Sequence, residues 1–381
     1  MASDSIKIVT VVGARPQFIK AAMVSRAIVR HNERHKTPKI IEEIVHTGQH
    51  YDSAMSEVFF KDMGIPKPAI NLNINSSGHG DMTGRMLIAL EKQLIDRKPD
   101  WVLVYGDTNS TLAGALAAAK IHIPVAHVEA GLRSFNKSMP EEINRILTDH
   151  VSTLLFCPTR AAVDNLKNEG IPNDQKANCN SRSQVVVSIG DVMYDAAIVF
   201  GEIAENGSTI LNDLNLVPRE YMLATVHRPE NTDDPERLQS ILTAFERVKS
   251  PVIFPVHPRT KEKIGQLQSR NPQQEIFNTR LIEPVSFLDM IKLERNARAI
   301  LTDSGGVQKE AYFHGIPCVT LRDETEWVET VEAGWNTLTG ANAENIVEAA
   351  LSARPGGKID QYGDGHAGDR VVESLISHFK L

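Results

Sequence analysis

The chain reads as an α/β protein of two doubly wound, parallel-sheet domains, on three observations. Short β-rich apolar runs recur along it, and helical stretches alternate with them. The runs are continuously apolar rather than alternating, as in strands buried on both faces of a parallel sheet. Polar and Gly-containing clusters fall just past the ends of these runs, where open α/β sheets place ligands. At 381 residues the chain exceeds one ordinary core, so two domains is the natural division.

Composition narrows the class. Hydrophobic residues make up 41% and charged residues 23%, the balance of a soluble globular protein. A formal net charge of -7 and a pI near 6.0 argue against a general nucleic-acid binder, while leaving room for a local basic pocket. Cys157, Cys179 and Cys318 are far apart and form no C-x-x-C pair, so neither a disulfide framework nor a zinc site is implied. The apolar run after Ile6 is short and ends at Gly13, which makes it a strand rather than a signal peptide. No run approaches the ~18 apolar residues of a membrane span. The expectation is a soluble, cytoplasmic protein with no nucleic-acid or membrane partner.

Taken in order, Ile6 to Val12 is the first strand, broken by Gly13-Ala14-Arg15-Pro16. Pro16 suits the first turn of a helix through about Arg30, flanked by the cations Arg15 and Lys20. Ile40 to Val45 is the second strand, ending in His46-Thr47-Gly48-Gln49-His50. A helix from about Ser53 follows, then a polar loop from Asn73 to Gly80. Gly78-x-Gly80 is no dinucleotide fingerprint: it follows no convincing strand, and the third glycine falls at Gly84, one place late. Met82 to Ile95 is helical, Trp101 to Tyr105 is a strand, and Gly106-Asp107-Thr108 leads into an Ala-rich helix. Pro124 to Val128 ends in Glu129-Ala130-Gly131-Leu132-Arg133, and Pro140-Glu141-Glu142 opens a helix with acids in its first turn. Leu154 to Cys157 is a strand, Asn173 to Gln184 a polar loop, and Val185 to Ile189 runs into Gly190-Asp191, near the interdomain connection. The polar stretch Gly201 to Asn215 marks the start of the second domain.

There the pattern restarts. Tyr221 to Val226 ends in His227-Arg228-Pro229-Glu230-Asn231, and Val252 to Val256 ends in His257-Pro258-Arg259. Ala299 to Thr302 ends in Asp303-Ser304-Gly305-Gly306, and Pro317 to Leu321 ends in Arg322-Asp323-Glu324-Thr325-Glu326. A helix beyond Ala343 leads to Tyr362-Gly363, and a terminal helix from about Asp369 closes the chain. The expected division is 1–190, 191–362 and a terminal helical segment, 363–381.

The Asp303-Ser304-Gly305-Gly306 stretch carries the strongest local signal. Adjacent glycines let backbone approach a ligand, and the following helix N-terminus is an anion site. Glu310 follows Gly306 by one helical turn, suited to accept from sugar hydroxyls. The stretch reads as a nucleotide pocket or as an ordinary strand–turn–helix corner. Asp107, Glu129 and Glu141 each have an ordinary reading too: turn former, salt-bridge partner of Arg133, and helix N-terminal acid. Together, with Arg15 and His227 at comparable strand ends, they suggest a cleft between the domains where carboxylates meet an expected diphosphate.

The motifs Gly13-x-Arg15-Pro16-x-x-Ile19-Lys20, Gly48-Gln49-His50, Gly106-Asp107-Thr108, His127-Val128-Glu129-Ala130-Gly131-Leu132-Arg133, Pro140-Glu141-Glu142-x-Asn144-Arg145, His227-Arg228 and Asp303-Ser304-Gly305-Gly306-x-Gln308-x-Glu310 run in order along nearly the whole chain. In this series the sequence resembles the non-hydrolysing UDP-N-acetylglucosamine 2-epimerase family. The resemblance implies glycosyltransferase-B architecture, with two facing Rossmann-like domains and a C-terminal helix crossing back to the first. It also implies a homodimer, a UDP-sugar substrate, no metal and no redox cofactor. It places Asp107, Glu129, Glu141, Arg145 and His227 in the catalytic group. Arg15, Lys20, His257, Ser304, Gly305, Gly306, Glu310 and Arg322 fall among the substrate- and UDP-binding residues. The implied chemistry eliminates UDP from C1 as C2 loses its proton, then adds UDP back to the 2-acetamidoglucal, for surface-polysaccharide precursors.

Departures refine the expectation. The first motif reads Gly-Ala-Arg-Pro-Gln-Phe where common epimerases show Gly-Thr-Arg-Pro-Glu. Tyr51 follows His50, and Ser77-Gly78-His79-Gly80 lacks the Arg-Gln pair of substrate-activated members, which argues against regulation by a second UDP-GlcNAc. That first motif, Tyr105 to Thr111 and Arg322 to Trp327 look more like the branch acting on UDP-2,3-diacetamido-2,3-dideoxyglucuronate. A uronate needs another cation near C6, for which Arg133, Arg259 and Arg322 are the candidates. A hydrolysing variant, a glycosyltransferase on the same fold and a non-catalytic UDP-sugar sensor are the competing readings.

Overall fold

The computed structural model describes residues 5–379 except 35–36, 50–59, 61–62, 77, 172–183 and 271–277. Outside the described residues lie His50, Tyr51, Ser77, Cys179, most of the helix expected from Ser53 and nearly all of the 173–184 loop. The chain forms two compact units. One runs to Ala196 and takes in the chain again from Gln361; the other spans Ala197–Asp360.

The first unit contains β1 (Ser5–Val12), α1 (Arg15–Arg34), β2 (Lys39–His46), β3 (Ile70–Asn71), α2 (His79–Arg97), β4 (Trp101–Tyr105) and α3 (Asn109–Lys120). It continues with β5 (Val125–Val128), α4 (Pro140–Val151), β6 (Leu154–Cys157), α5 (Arg160–Asn168), β7 (Val185–Ser188) and the start of α6 (Val192–Gly207). Its sheet is parallel, in the order β3-β2-β1-β4-β5-β6-β7. The second unit has β8 (Met222–Thr225), α7 (Pro235–Arg247), β9 (Val252–Pro255), α8 (Pro258–Arg270), β10 (Thr279–Ile282) and α9 (Phe287–Asn296). It then has β11 (Ala299–Thr302), α10 (Gly305–Phe313), β12 (Cys318–Thr320), β13 (Asn336–Leu338) and α11 (Ala343–Ser352). This sheet is also parallel, in the order β10-β9-β8-β11-β12-β13.

Both sheets therefore reverse their winding once, between β1 and β4 and between β8 and β11. Such a switch point opens a crevice beyond the strand C-termini, because the connections on its two sides leave toward opposite faces. Gly13–Lys20 and Gly106–Thr108 flank the first crevice; His227–Asn231 and Asp303–Gly306 flank the second.

The strands are as apolar as that burial demands. Val9, Val11, Val102 and Val104 pack under α3, whose alanines 113 and 117 let it lie close on the sheet. Gly114 has no room for more: a Cβ there would stand 3.2 Å from both Val11 and Val104 Cγ1. In the second unit, Leu238, Ile241 and Phe245 of α7 cover Phe254 and Leu301.

Three features differ from the sequence expectation. β3, β10 and β13 are added at the sheet edges; each is four residues or fewer, too short for a periodicity to announce it. The stretch expected as a polar domain start is largely helical, since α6 runs on to Gly207 with Ala197, Phe200 and Ala204 buried. The closing helix, α12 (Ala367–Ser377), begins two residues before Asp369.

Asp195 fixes that helix start by accepting from Ala367 N at 3.1 Å and Gly368 N at 2.8 Å. Arg30 of α1 pairs with Asp369 at 2.7 Å, and Gly368 lies so near the Met23 carbonyl that a Cβ would approach to 2.9 Å. Among the described residues, no helix is long and apolar enough to cross a membrane, and no His/Cys/Asp/Glu cluster has metal-holding geometry.

Candidate active site

At the first crevice the loop after β1 is shaped by one side chain. Gln17 is buried; its Oε1 accepts from Gly13 N at 2.8 Å and Ala14 N at 3.1 Å. Its Nε2 donates to the Tyr105 carbonyl at 2.8 Å and to Thr111 Oγ1 at 2.9 Å. One amide thus ties the Arg15 loop to the strand end that carries Asp107. A larger residue than Gly13 would have to displace the Thr47–Ser110 hydroxyl pair beside it, because a Cβ would fall 2.1 Å from Ser110 Oγ and 2.2 Å from Thr47 Oγ1.

Lys20, one turn into α1, pairs with Glu129 after β5. Both lie against Gly106: a Cβ there would stand 3.2 Å from Lys20 Nζ and 3.2 Å from Glu129 Oε2. Glu129 holds a left-handed backbone at φ 76°, rare for a side-chain-bearing residue and typical of functional corners. Asp107 receives Arg145 Nη2 at 2.5 Å, while Asn144 Nδ2 donates to the Asp107 carbonyl at 3.0 Å. Burial pushes the Asp107 carboxyl above its usual range, outweighing Arg145 and Lys20, with Glu129 adding to the rise. Two carboxylates and two cations therefore share one strand-end corner.

The remaining groups there brace it. His127, fully buried, faces Asp149 from Nδ1 and the Gly106 carbonyl from Nε2, both at 2.7 Å. Asp149 also binds Arg133 at 2.7 Å; burial raises its carboxyl, but His127 and Arg133 prevail and hold it below the usual range. Arg133 is thus no partner of Glu129. It is buried against Asp149 and clamped by Glu169, so it is not an available cation for a uronate. In α4 the contacts belong to Glu142, which accepts from Ser134 N and Phe135 N at 2.9 Å and faces Arg145 at 3.2 Å. Glu141, its neighbour, stands exposed in the first turn.

At the second crevice Asp303 is the buried organiser. It accepts from His227 N at 3.1 Å, Arg228 N at 3.0 Å and Asn231 Nδ2 at 3.1 Å. His227 Nδ1 lies 3.3 Å from Asp303 Oδ1, leaving half the ring exposed. Ser304, Gly305 and Gly306 open α10, and Glu310 follows one turn later, half-buried. Burial, then the charge of Glu310, pushes buried Glu294 well above the carboxylate range. Arg322 pairs with Glu326 at 2.8 Å. His257 is exposed after β9 and accepts from Arg259 N at 3.3 Å, while Arg259 is engaged by Asp233.

The candidates thus gather as two separate clusters: Lys20, Asp107, Glu129 and Arg145 in one unit, His227 with Ser304–Gly306 in the other. Glu141 and His257 are exposed, and among the described residues no hydrogen bond or ion pair joins them to these clusters. Gln17, His127 and Asp303 stand inside the motifs and Glu326 just past a strand end, but the sequence assigns none of them a role, and it leaves Asp149 unmarked. The first three and Asp149 are buried polar residues whose partners come from distant segments.

The model of the UDP-N-acetylglucosamine 2-epimerase family matches residues 32–376 of this chain. The chain belongs to that family. A UDP-N-acetylglucosamine 2-epimerase homolog of Methanococcus maripaludis is 52% identical over 373 residues, covering 97% of this chain and 99% of the relative. The UDP-2,3-diacetamido-2,3-dideoxy-D-glucuronate 2-epimerase of Pseudomonas aeruginosa is 50% identical over 379 residues, covering 97% and 99%. Among solved structures, Methanocaldococcus jannaschii UDP-GlcNAc 2-epimerase in complex with UDP-GlcNAc and UDP matches at a TM-score of 0.81 and 41% identity, covering 98% and 99%. The α/β class read from the apolar runs and the epimerase family read from the motifs both hold.

Proposed function

We propose that this chain is a non-hydrolysing UDP-N-acetylglucosamine 2-epimerase that interconverts UDP-GlcNAc and UDP-ManNAc. The observation that carries the reading is the gathering of Glu129 with Lys20 against Gly106, beside Asp107 with Arg145. The sugar C2–H lies beside no carbonyl, so simple deprotonation gives no stabilised carbanion. Breaking the C1–O bond as C2 loses its proton avoids that problem. The bonding electrons at C1 leave with UDP, the C2–H pair becomes the C1=C2 bond, and a carboxylate takes the proton. Reprotonation of C2 from the opposite face, with UDP returning to C1, completes the inversion. This requires proton-carrying groups around the sugar, at least one with a pKa above that of a free carboxylate, which Asp107 supplies.

In this reading Asp107, Glu129 and Glu141 move protons, with Arg145 and His227 orienting them. Arg15, Lys20, His257, Ser304, Gly305, Gly306, Glu310 and Arg322 hold UDP, the helix N-terminus and cations stabilising the departing diphosphate. The working form is a homodimer supplying surface-polysaccharide precursors in the cytoplasm. A second reading, epimerisation of UDP-2,3-diacetamido-2,3-dideoxyglucuronate, is favoured by the 50% identity to the P. aeruginosa enzyme.

Incubation with UDP-GlcNAc in D2O tests the mechanism: deuterium is expected at C2 of the recovered UDP-sugar. Unlabelled sugar on both UDP-GlcNAc and the diacetamido uronate would sink it. Free sugar plus UDP would indicate the hydrolysing variant, and turnover only with an acceptor a glycosyltransferase. Comparing the two substrates decides between the two epimerase readings.

A further inference from the structure

Glu326 has no part in the chemistry above, yet its carboxylate rests on the first residue of α10. A Cβ placed on Gly305 would fall 2.2 Å from Glu326 Oε1. The other oxygen accepts from Arg322 Nη1 at 2.8 Å, and the Arg322 side chain is only 8% exposed. Arg228 is near enough for its charge to favour the ionised carboxylate.

The segment carrying Glu326 is stapled to α10 on both sides. Thr325 Oγ1 donates to Gln308 Oε1 at 2.6 Å, and Trp327 Nε1 donates to the Gly305 carbonyl at 2.7 Å. Glu326 is thus delivered to this place by its neighbours and is no freely swinging surface residue. An anion already stands where the helix dipole and two guanidinium groups favour one. Two anions cannot share such a place without strong repulsion.

We propose that Glu326 is the protein's own occupant of the diphosphate subsite, a specificity-determining carboxylate that yields Arg322 and the Gly305 corner only to a ligand carrying enough negative charge. The inference rests on reading Ser304–Gly306 as the UDP holder. On this view a neutral nucleoside leaves Glu326 in place, whereas a diphosphate displaces it and takes over its cation.

Calorimetric titration of wild type and Glu326→Gln with UDP and with uridine tests this, with thermal unfolding to establish that the variant is folded. The Gln side chain keeps the shape and removes the competing charge. UDP is expected to bind about tenfold more tightly to the variant, with uridine binding unchanged. Glu326→Ala, which removes the group altogether, is the second variant should Gln disturb folding, and the same gain is expected. Unchanged or weaker UDP binding in a folded variant, or an equal gain for uridine, overturns the proposal. Failure of both wild type and variant to bind UDP would instead remove the UDP reading itself.

Discussion

Asp107 and Glu129 share a corner but not an environment. Asp107 is pushed up by burial with Arg145 against it, and Glu129 is neutralised by Lys20. Their removal is accordingly expected to stop proton transfer while sparing the nucleotide. Asp107→Asn or Glu129→Gln should reduce C2 deuterium exchange by about 10²- to 10⁴-fold, with UDP affinity measured by calorimetry largely preserved. Gln17 makes a separate prediction. Gln17→Glu turns the donor facing the Tyr105 carbonyl into a group that can donate only when protonated. Its kcat should fall with rising pH relative to wild type, because deprotonation leaves an anion facing a carbonyl, at a cost of about 1–3 kcal/mol. A pH profile parallel to wild type, recorded well below the melting temperature, would refute that role. At this scale the motifs alone make the carboxylates and the Ser-Gly-Gly corner legible. The roles of Gln17 and Asp149 are not, because what matters about them is whom they bond, and those partners lie up to 94 positions away.

Strands and their polar ends are legible for a simple reason: a parallel sheet buried on both faces leaves unbroken apolar runs that stop where ligand chemistry begins. The two-to-four-residue edge strands and the continuity of α6 are not, since short runs carry no periodicity and tertiary burial decides them. At Gly131, after β5, backbone geometry sets a strict limit. Its φ is +79°, and a Cβ would lie 2.3 Å from the Ala162 carbonyl oxygen. Gly131→Ala should lower stability by about 3 kcal/mol in denaturant unfolding, because that neighbour is backbone and cannot swing away. The link between α6 and α12 adds a pH dependence. Burial raises Asp195 from 3.8 to about 6, against the amides of Gly368 and Ala367. Between those values the folded chain retains a proton that the unfolded chain has released, so this contribution to stability falls as pH rises and is flat above the window. Relative to Asp195→Asn, wild type should lose about 2 kcal/mol on going from pH 4 to 6. Parallel unfolding curves for the two proteins would dismiss the effect.

For the molecule as a whole, α4 is turned inside out. Its inward residues are polar, with Glu142, Asn144, Thr148 and Asp149 buried to serve the strand ends. Its outward residues Ile143 and Leu147, one turn apart, are 46% and 48% exposed, and Phe135 on the preceding loop is 78% exposed. An apolar face on a helix whose polar side is already committed is costly in water and favours a covering partner. If a second copy covers it in the proposed homodimer, the same contact steadies the helix that presents Arg145 to Asp107. Ile143→Asp combined with Leu147→Asp should then give a folded monomer by light scattering, with normal UDP binding per chain and C2 exchange lowered at least tenfold. The dissociation follows from burying two carboxylates in an apolar contact, and the rate loss from a helix no longer braced from outside. A double variant that stays dimeric would remove this face as the interface. One that is monomeric with undiminished exchange would separate assembly from catalysis and leave α4 steadied by Glu142 and Asn144 alone.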